Sequence, residues 1–180
     1  MSRQKAAEID TICRRARILG MGCRRRSREH ELSYSRWSTL SLTFGISIAV
    51  FSGAAGTTLL ASAKPGSPLS IVAGILGALA VVLTAVDAKF SSTAKAEAHR
   101  RAFAGFSSLR TDYDDLATMG ARSTEEARGK LEHLNTRKSQ LEKDSPPTEQ
   151  YARKKRRKDE ASLDERDFSV LEPSAQLPSR

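Results

Sequence analysis

The side chains able to do chemistry are few and scattered. His30, His99 and His133 stand far apart, and Cys13 and Cys23 lack the Cys-x-x-Cys spacing that a zinc site or a redox pair uses. Gly45-Ile46-Ser47-Ile48-Ala49 approximates a nucleophile elbow, but that motif needs a strand leading into a strained turn. Here the flanking sequence is uncharged, apolar and helical in pattern. Gly20-Met21-Gly22 lacks the third glycine and the preceding strand of a dinucleotide site. No catalytic residue, metal site or cofactor is therefore expected, and the chain reads as a non-enzyme.

The elements explain the sparse chemistry. The chain has 180 residues, Lys+Arg 30 against Asp+Glu 21, net charge +9 and mean hydropathy -0.44. Those averages suggest a small basic soluble domain, but charge and hydropathy are segregated. Trp37 to Ala63 is 27 residues without Asp, Glu, Lys or Arg, and Pro65 to Val86 is another 22. About 20 apolar residues suffice to cross the hydrocarbon of a bilayer. The fold expected is all-α, a two-helix transmembrane hairpin at 37–90 with spans of about 40–61 and 69–88, turning at Ser62 to Pro68. Soluble helices of this length carry a polar face, and the hydroxyls of the first span do not fall on one face. They can bond back to their own helix carbonyls. A cleaved signal peptide is disfavoured by the 36 residues before the run and the second span after it.

Short-range charge sets the orientation. Residues 18–36 hold five arginines, residues 87–106 four basic residues, and the turn only Lys64, so both termini belong in the cytoplasm and the protein in the inner (plasma) membrane. Tyr34, Trp37 and Phe90 sit where interfacial aromatics anchor spans. Small residues recur every fourth position at Ser41, Gly45, Ala49, Gly53 and Thr57, and again at Ser70, Gly74 and Ala78, with Gly77 and Ala85 on a neighbouring line. Such ridges admit close backbone approach, either within one hairpin or between several in a homo-oligomer. Two helices enclose no pore alone; an oligomeric channel would place Asp87 at its cytoplasmic mouth, although a plain solvated interfacial carboxylate is the preferred reading.

The flanks are expected to be helical and amphipathic. Within the amphipathic helices of 1–36, Ile9, Ile12, Ala16 and Leu19 share a face, Gly20 to Gly22 is expected to stop that first helix, and a second amphipathic stretch, Cys23 to Arg36, leads into the first span. Over 91–145 no breaker precedes Gly105, so a helix continuous with the second span is expected. Ala102, Phe106, Leu109, Tyr113 and Leu116 form a heptad-like seam suited to a coiled coil. Gly120 should end it, Ser123 to Glu126 is a capping box, and Pro146-Pro147 closes the next helix. Residues 146–180 read as a disordered basic tail. Arg24, Arg25 and Arg26, with Lys154, Lys155, Arg156 and Arg157 of the tail, fit anionic headgroups of the lipid bilayer, and nucleic acid is the weaker reading. Cys23 beside the arginines is a candidate for acylation or a lowered thiol pKa, weighed against an ordinary reduced thiol.

From Arg14 to Leu116 the pattern resembles the SLATT domain family, the two-transmembrane effectors that associate with SMODS nucleotidyltransferases and SLOG sensors. The matching features are Tyr34-Ser35-Arg36-Trp37 before two spans with a minimal turn, then Asp87-Ala88-Lys89-Phe90, Ala98-His99-Arg100-Arg101-Ala102-Phe103, Phe106, Leu109, Tyr113 and Asp115-Leu116. The resemblance implies a bacterial antiphage conflict effector that perforates or depolarises the membrane on a nucleotide signal, with a sensor or nucleotidyltransferase encoded alongside. The chain itself carries no recognisable sensor. The competing reading is a non-enzymatic membrane tether or scaffold with lipid- or partner-binding cytoplasmic helices.

Overall fold

The computed structural model describes residues 3–61, 68–119 and 123–170. The fold is all-helical, with α1 at Arg3–Ala61, α2 at Pro68–Phe90, α3 at Ser92–Met119, α4 at Thr124–Asp144 and α5 at Gln150–Val170. Two of the helices, α1 and α2, contain windows long and apolar enough to cross a membrane. The expected turn at 62–67 and the stop at Gly120 lie outside the described residues. The helices divide into two compact units, Glu31–Arg101 and the remainder, Met1–His30 with Ala102–Arg180.

In the first of these, α1 from Glu31 onward lies beside α2 and the beginning of α3. Contact runs through small residues, with Ala55, Ala73 and Ala80 buried. Ser41 Oγ meets Thr93 Oγ1 at 2.8 Å. Leu32, Ser33, Ser92, Ala96 and His99 are also buried here.

The other unit is a helical cluster around the expected seam. Phe106, Leu109, Tyr113 and Leu116 of α3 pack with Ile12, Ala16 and Cys23 of α1 and Ala127, Leu131 and Leu134 of α4. The seam spacing thus serves packing within the chain. Ser123 caps α4, its hydroxyl accepting from Glu126 N–H at 3.2 Å, as the capping box requires.

Three local expectations are corrected. Gly20 to Gly22 does not stop a helix; α1 continues through it. A Cβ on Gly20 would lie 3.0 Å from the Asp114 carboxylate and 3.3 Å from Tyr113 Cβ, so glycine lets α3 approach, which offsets its poor helix propensity. Gly105 likewise sits inside α3, under Leu141. The second span and the seam helix are not continuous, because Ser91 takes φ 48 and separates α2 from α3. Finally, the supposed disordered tail contains α5; its i,i+4 and long-range ion pairs, described below, supply what a purely basic run lacks.

Burial raises both titratable groups at the centre of the core. Cys23 is pushed up from 9.0 to about 11, chiefly by desolvation, and Tyr113 from 10.0 to about 12 for the same reason. The Tyr113 hydroxyl donates to Asn135 Oδ1 at 2.9 Å. Between pH 9 and 11 the unfolded thiol loses its proton while the folded one keeps it. Stability must therefore fall as pH rises through that window. Thermal melts at pH 8 and pH 10.5 are expected to give a lower Tm at the higher pH, by an amount that shrinks in Cys23→Ala. Leu109→Ala, at a side chain with no solvent exposure, is expected to cost about 2–5 kcal/mol by denaturant titration.

Candidate membrane spans and a buried charge node

The apolar helices are notable for what they leave uncovered. Of the most apolar window of the first candidate span only 6% is buried, and of the second 11%. Leu42, Ile46 and Val50 of α1 and Ile71, Val72, Ile75, Val81 and Val82 of α2 are all exposed. The hydroxyls of these helices satisfy themselves on preceding carbonyls: Thr43 on Thr39, Thr57 on Gly53 and Ala54, Thr58 on Ala54, Thr84 on Ala80. A hydroxyl bonded in this way no longer demands water.

The small-residue ridges fall mostly on the uncovered faces. Gly45, Ala49, Gly53, Thr57, Gly74 and Ala78 are exposed, Ser41 and Ser70 half-buried. A Cβ on Gly45, Gly53 or Gly74 would meet nothing within 4 Å. The contact between α1 and α2 follows a neighbouring line instead, where Ala55, Gly56, Gly77 and Ala80 share one groove. Of the three aromatics expected to anchor the spans, Trp37 and Phe90 are brought together by Lys95, whose Nζ lies 4.4 Å from the Trp37 ring centroid and 5.9 Å from that of Phe90. That ammonium over two rings joins charge to amphipathic bodies, as headgroup-level residues do. Tyr34 is half-buried three residues before Trp37.

Asp87, the suggested pore mouth, is engaged at the α2–α3 joint. Its carboxylate accepts from the Ser92 hydroxyl, and its backbone carbonyl accepts from Ser91 N–H at 2.8 Å.

In the helical-cluster unit, the basic residues divide by role. Arg156 is mostly buried and donates to Glu29 at 3.1 Å, while Glu29 also receives Thr148 Oγ1 at 3.2 Å and Arg26 at 3.4 Å. Arg153 Nε donates to Thr148 at 2.9 Å, and Arg156 reaches Glu160 at 2.7 Å. Arg28 pairs with Asp159 at 3.5 Å and Arg25 with Glu160 at 3.8 Å. These pairs clip α5 onto α1. Arg24, Lys154, Lys155 and Arg157 remain on the surface. Sequence reasoning missed the node, because Glu29 lies 127 residues from Arg156 and nothing local marks it. The signal present was the acid itself: a carboxylate within an arginine-rich run.

Of the two readings of Cys23, its surroundings favour the ordinary reduced thiol. Cys23 faces the core with no exposure, and its pKa is raised, not lowered. A buried, protonated thiol is neither an acyl acceptor nor a nucleophile. Among the described residues no group of three His, Cys, Asp or Glu side chains is arranged to hold a metal.

No protein-family model, curated protein or solved structure matches the chain.

Removing one partner from a buried ion pair leaves the other charge desolvated and costs about 3–5 kcal/mol. Glu29→Gln is expected to lie near the lower end of that range, because Arg156 keeps Glu160. Limited trypsin digestion checks this: cleavage within 153–158 should accelerate at least tenfold in Glu29→Gln, with the α3–α4 fragment still protected.

Proposed function

We propose that the chain is an integral membrane effector, its two apolar helices forming a transmembrane hairpin with both termini cytoplasmic. One observation carries this reading: the longest apolar helices leave their apolar surface outside the protein's own core. A core helix of a soluble protein would be mostly buried. The same surface is accommodated without cost in hydrocarbon. The internally bonded threonines and the Trp37–Lys95–Phe90 cluster fit that environment and its boundary.

The exposed Gly45, Gly53 and Gly74 support self-association of hairpins in the membrane, since ridges not used within one chain are available to another. Together with the resemblance to SLATT effectors, this favours an oligomer that perforates or depolarises the inner membrane of a bacterium in antiphage defence. The trigger then comes from a partner, such as a sensor or nucleotidyltransferase encoded alongside. A second reading, a membrane tether or scaffold, draws on the extent of the helical-cluster unit, far more than a simple pore requires.

Carbonate washing of membranes tests insertion: the chain should stay in the pellet, and its release would end the hairpin reading. Voltage-sensitive dye fluorescence during controlled bacterial expression tests the activity. Depolarisation is expected with the wild-type chain and its loss in Gly45→Leu and Gly53→Leu. Insertion without depolarisation favours the tether, and undiminished depolarisation in both variants removes the packed-ridge mechanism.

A further inference from the structure

The basic segment of α5 has two unlike faces. Toward α1 it turns Ala152, fully buried, and Arg156, held by Glu29 and Glu160. On the opposite side Tyr151, Lys154, Lys155 and Lys158 recur at i, i+3, i+4 and i+7, which a helix brings onto one face. They line one open groove with Gln150 and Asp159. Tyr151 is 47% exposed, and Lys155 Nζ lies 5.9 Å from its ring centroid. Among the described residues no ion pair engages these three lysines. The one acid in the groove, Asp159, is itself paired with Arg28.

We propose that this stripe is a docking surface for anionic lipid headgroups, presented outward because the Glu29–Arg156 node holds the helix from behind. The proposal rests on the membrane placement argued above and adds a division of labour within the basic run. Lys154, Lys155 and Lys158 meet the phosphates, Tyr151 supplies an amphipathic ring for the interface, and Arg156 takes no part in binding. Charge complementarity with a cytoplasmic leaflet carries the choice of occupant. So does the chemistry of the stripe. Lysine ammonium groups act as hydrated point charges suited to a diffuse headgroup layer, while the arginine forks at positions 153 and 156 are spent on Thr148 and Glu29. Arg157 lies off the stripe. A tyrosine among lysines also suits a boundary that is apolar on one side and charged on the other.

The test presents the full chain to vesicles of phosphatidylcholine alone or mixed with phosphatidylglycerol, and reads amide hydrogen exchange across 150–161. Exchange is expected to slow about tenfold on the anionic vesicles, to recover in high salt, and to lose the effect in the triple variant K154Q/K155Q/K158Q. The triple Lys→Arg variant should retain it, and the amides around Leu109 and Tyr113 serve as the fold control. Equal exchange on both vesicle types, or stronger slowing by double-stranded DNA than by anionic vesicles, overturns the proposal. Carbonate extraction of the same samples separates the two claims. A chain that is washed off yet slows at α5 keeps the docking surface and loses the spans; a chain that resists washing while α5 is indifferent does the reverse.

Discussion

Apolar surface has to be removed from water, and in this chain the protein does not do it for its own longest apolar helices. Leu42, Ile46, Val50, Ile75, Val81 and Val82 each keep roughly half or more of their surface open. Within the apolar windows of α1 and α2 the polar groups are arranged compatibly with a surrounding that supplies no hydrogen bonds. Backbone groups are paired along the helices, and threonine hydroxyls fold back onto carbonyls. Polar contacts such as Ser41 with Thr93 and Lys95 with Trp37 gather toward the end where the charged sequence begins.

The second unit obeys ordinary aqueous logic. Its core is a single aliphatic and aromatic cluster crossed by Tyr113, whose hydroxyl is satisfied by Asn135, and by His30, stacked on Phe106 at 5.5 Å between ring centroids. Its edge is electrostatic. Glu29 is a buried carboxylate that would be costly alone, and it is offset by two guanidinium groups and a hydroxyl. That arrangement turns a run of six positive charges, poorly suited to self-association, into a helix with a definite inner side.

The apolar helices, the α3 seam and the Ser123 cap were legible because each is written in local spacing: uncharged length, a 4-3 repeat, a serine three residues before a glutamate. What was illegible depends on distant partners. Gly20 reads as a breaker until Tyr113 and Asp114 are seen beside it. Arg156 reads as one more tail cation until Glu29 is found beneath it. Residue type marks the small-residue ridges but not which neighbour each line faces, since a shift of one position turns a helical residue by about 100°. The interior of α5 carries no apolar stripe at all, so pattern alone gave it no reason to fold.

The joint at Ser91 combines a left-handed residue with hydrogen bonds that reach it from both sides. Ser91 N–H still reaches the Asp87 carbonyl, and Lys95 N–H the Ser91 carbonyl, while the Ser92 hydroxyl closes on the Asp87 carboxylate. A break between two helices leaves backbone donors and acceptors without intrahelical partners. Here two backbone bonds and one side-chain bond span the break, so fewer groups at the passage from α2 to α3 call for water.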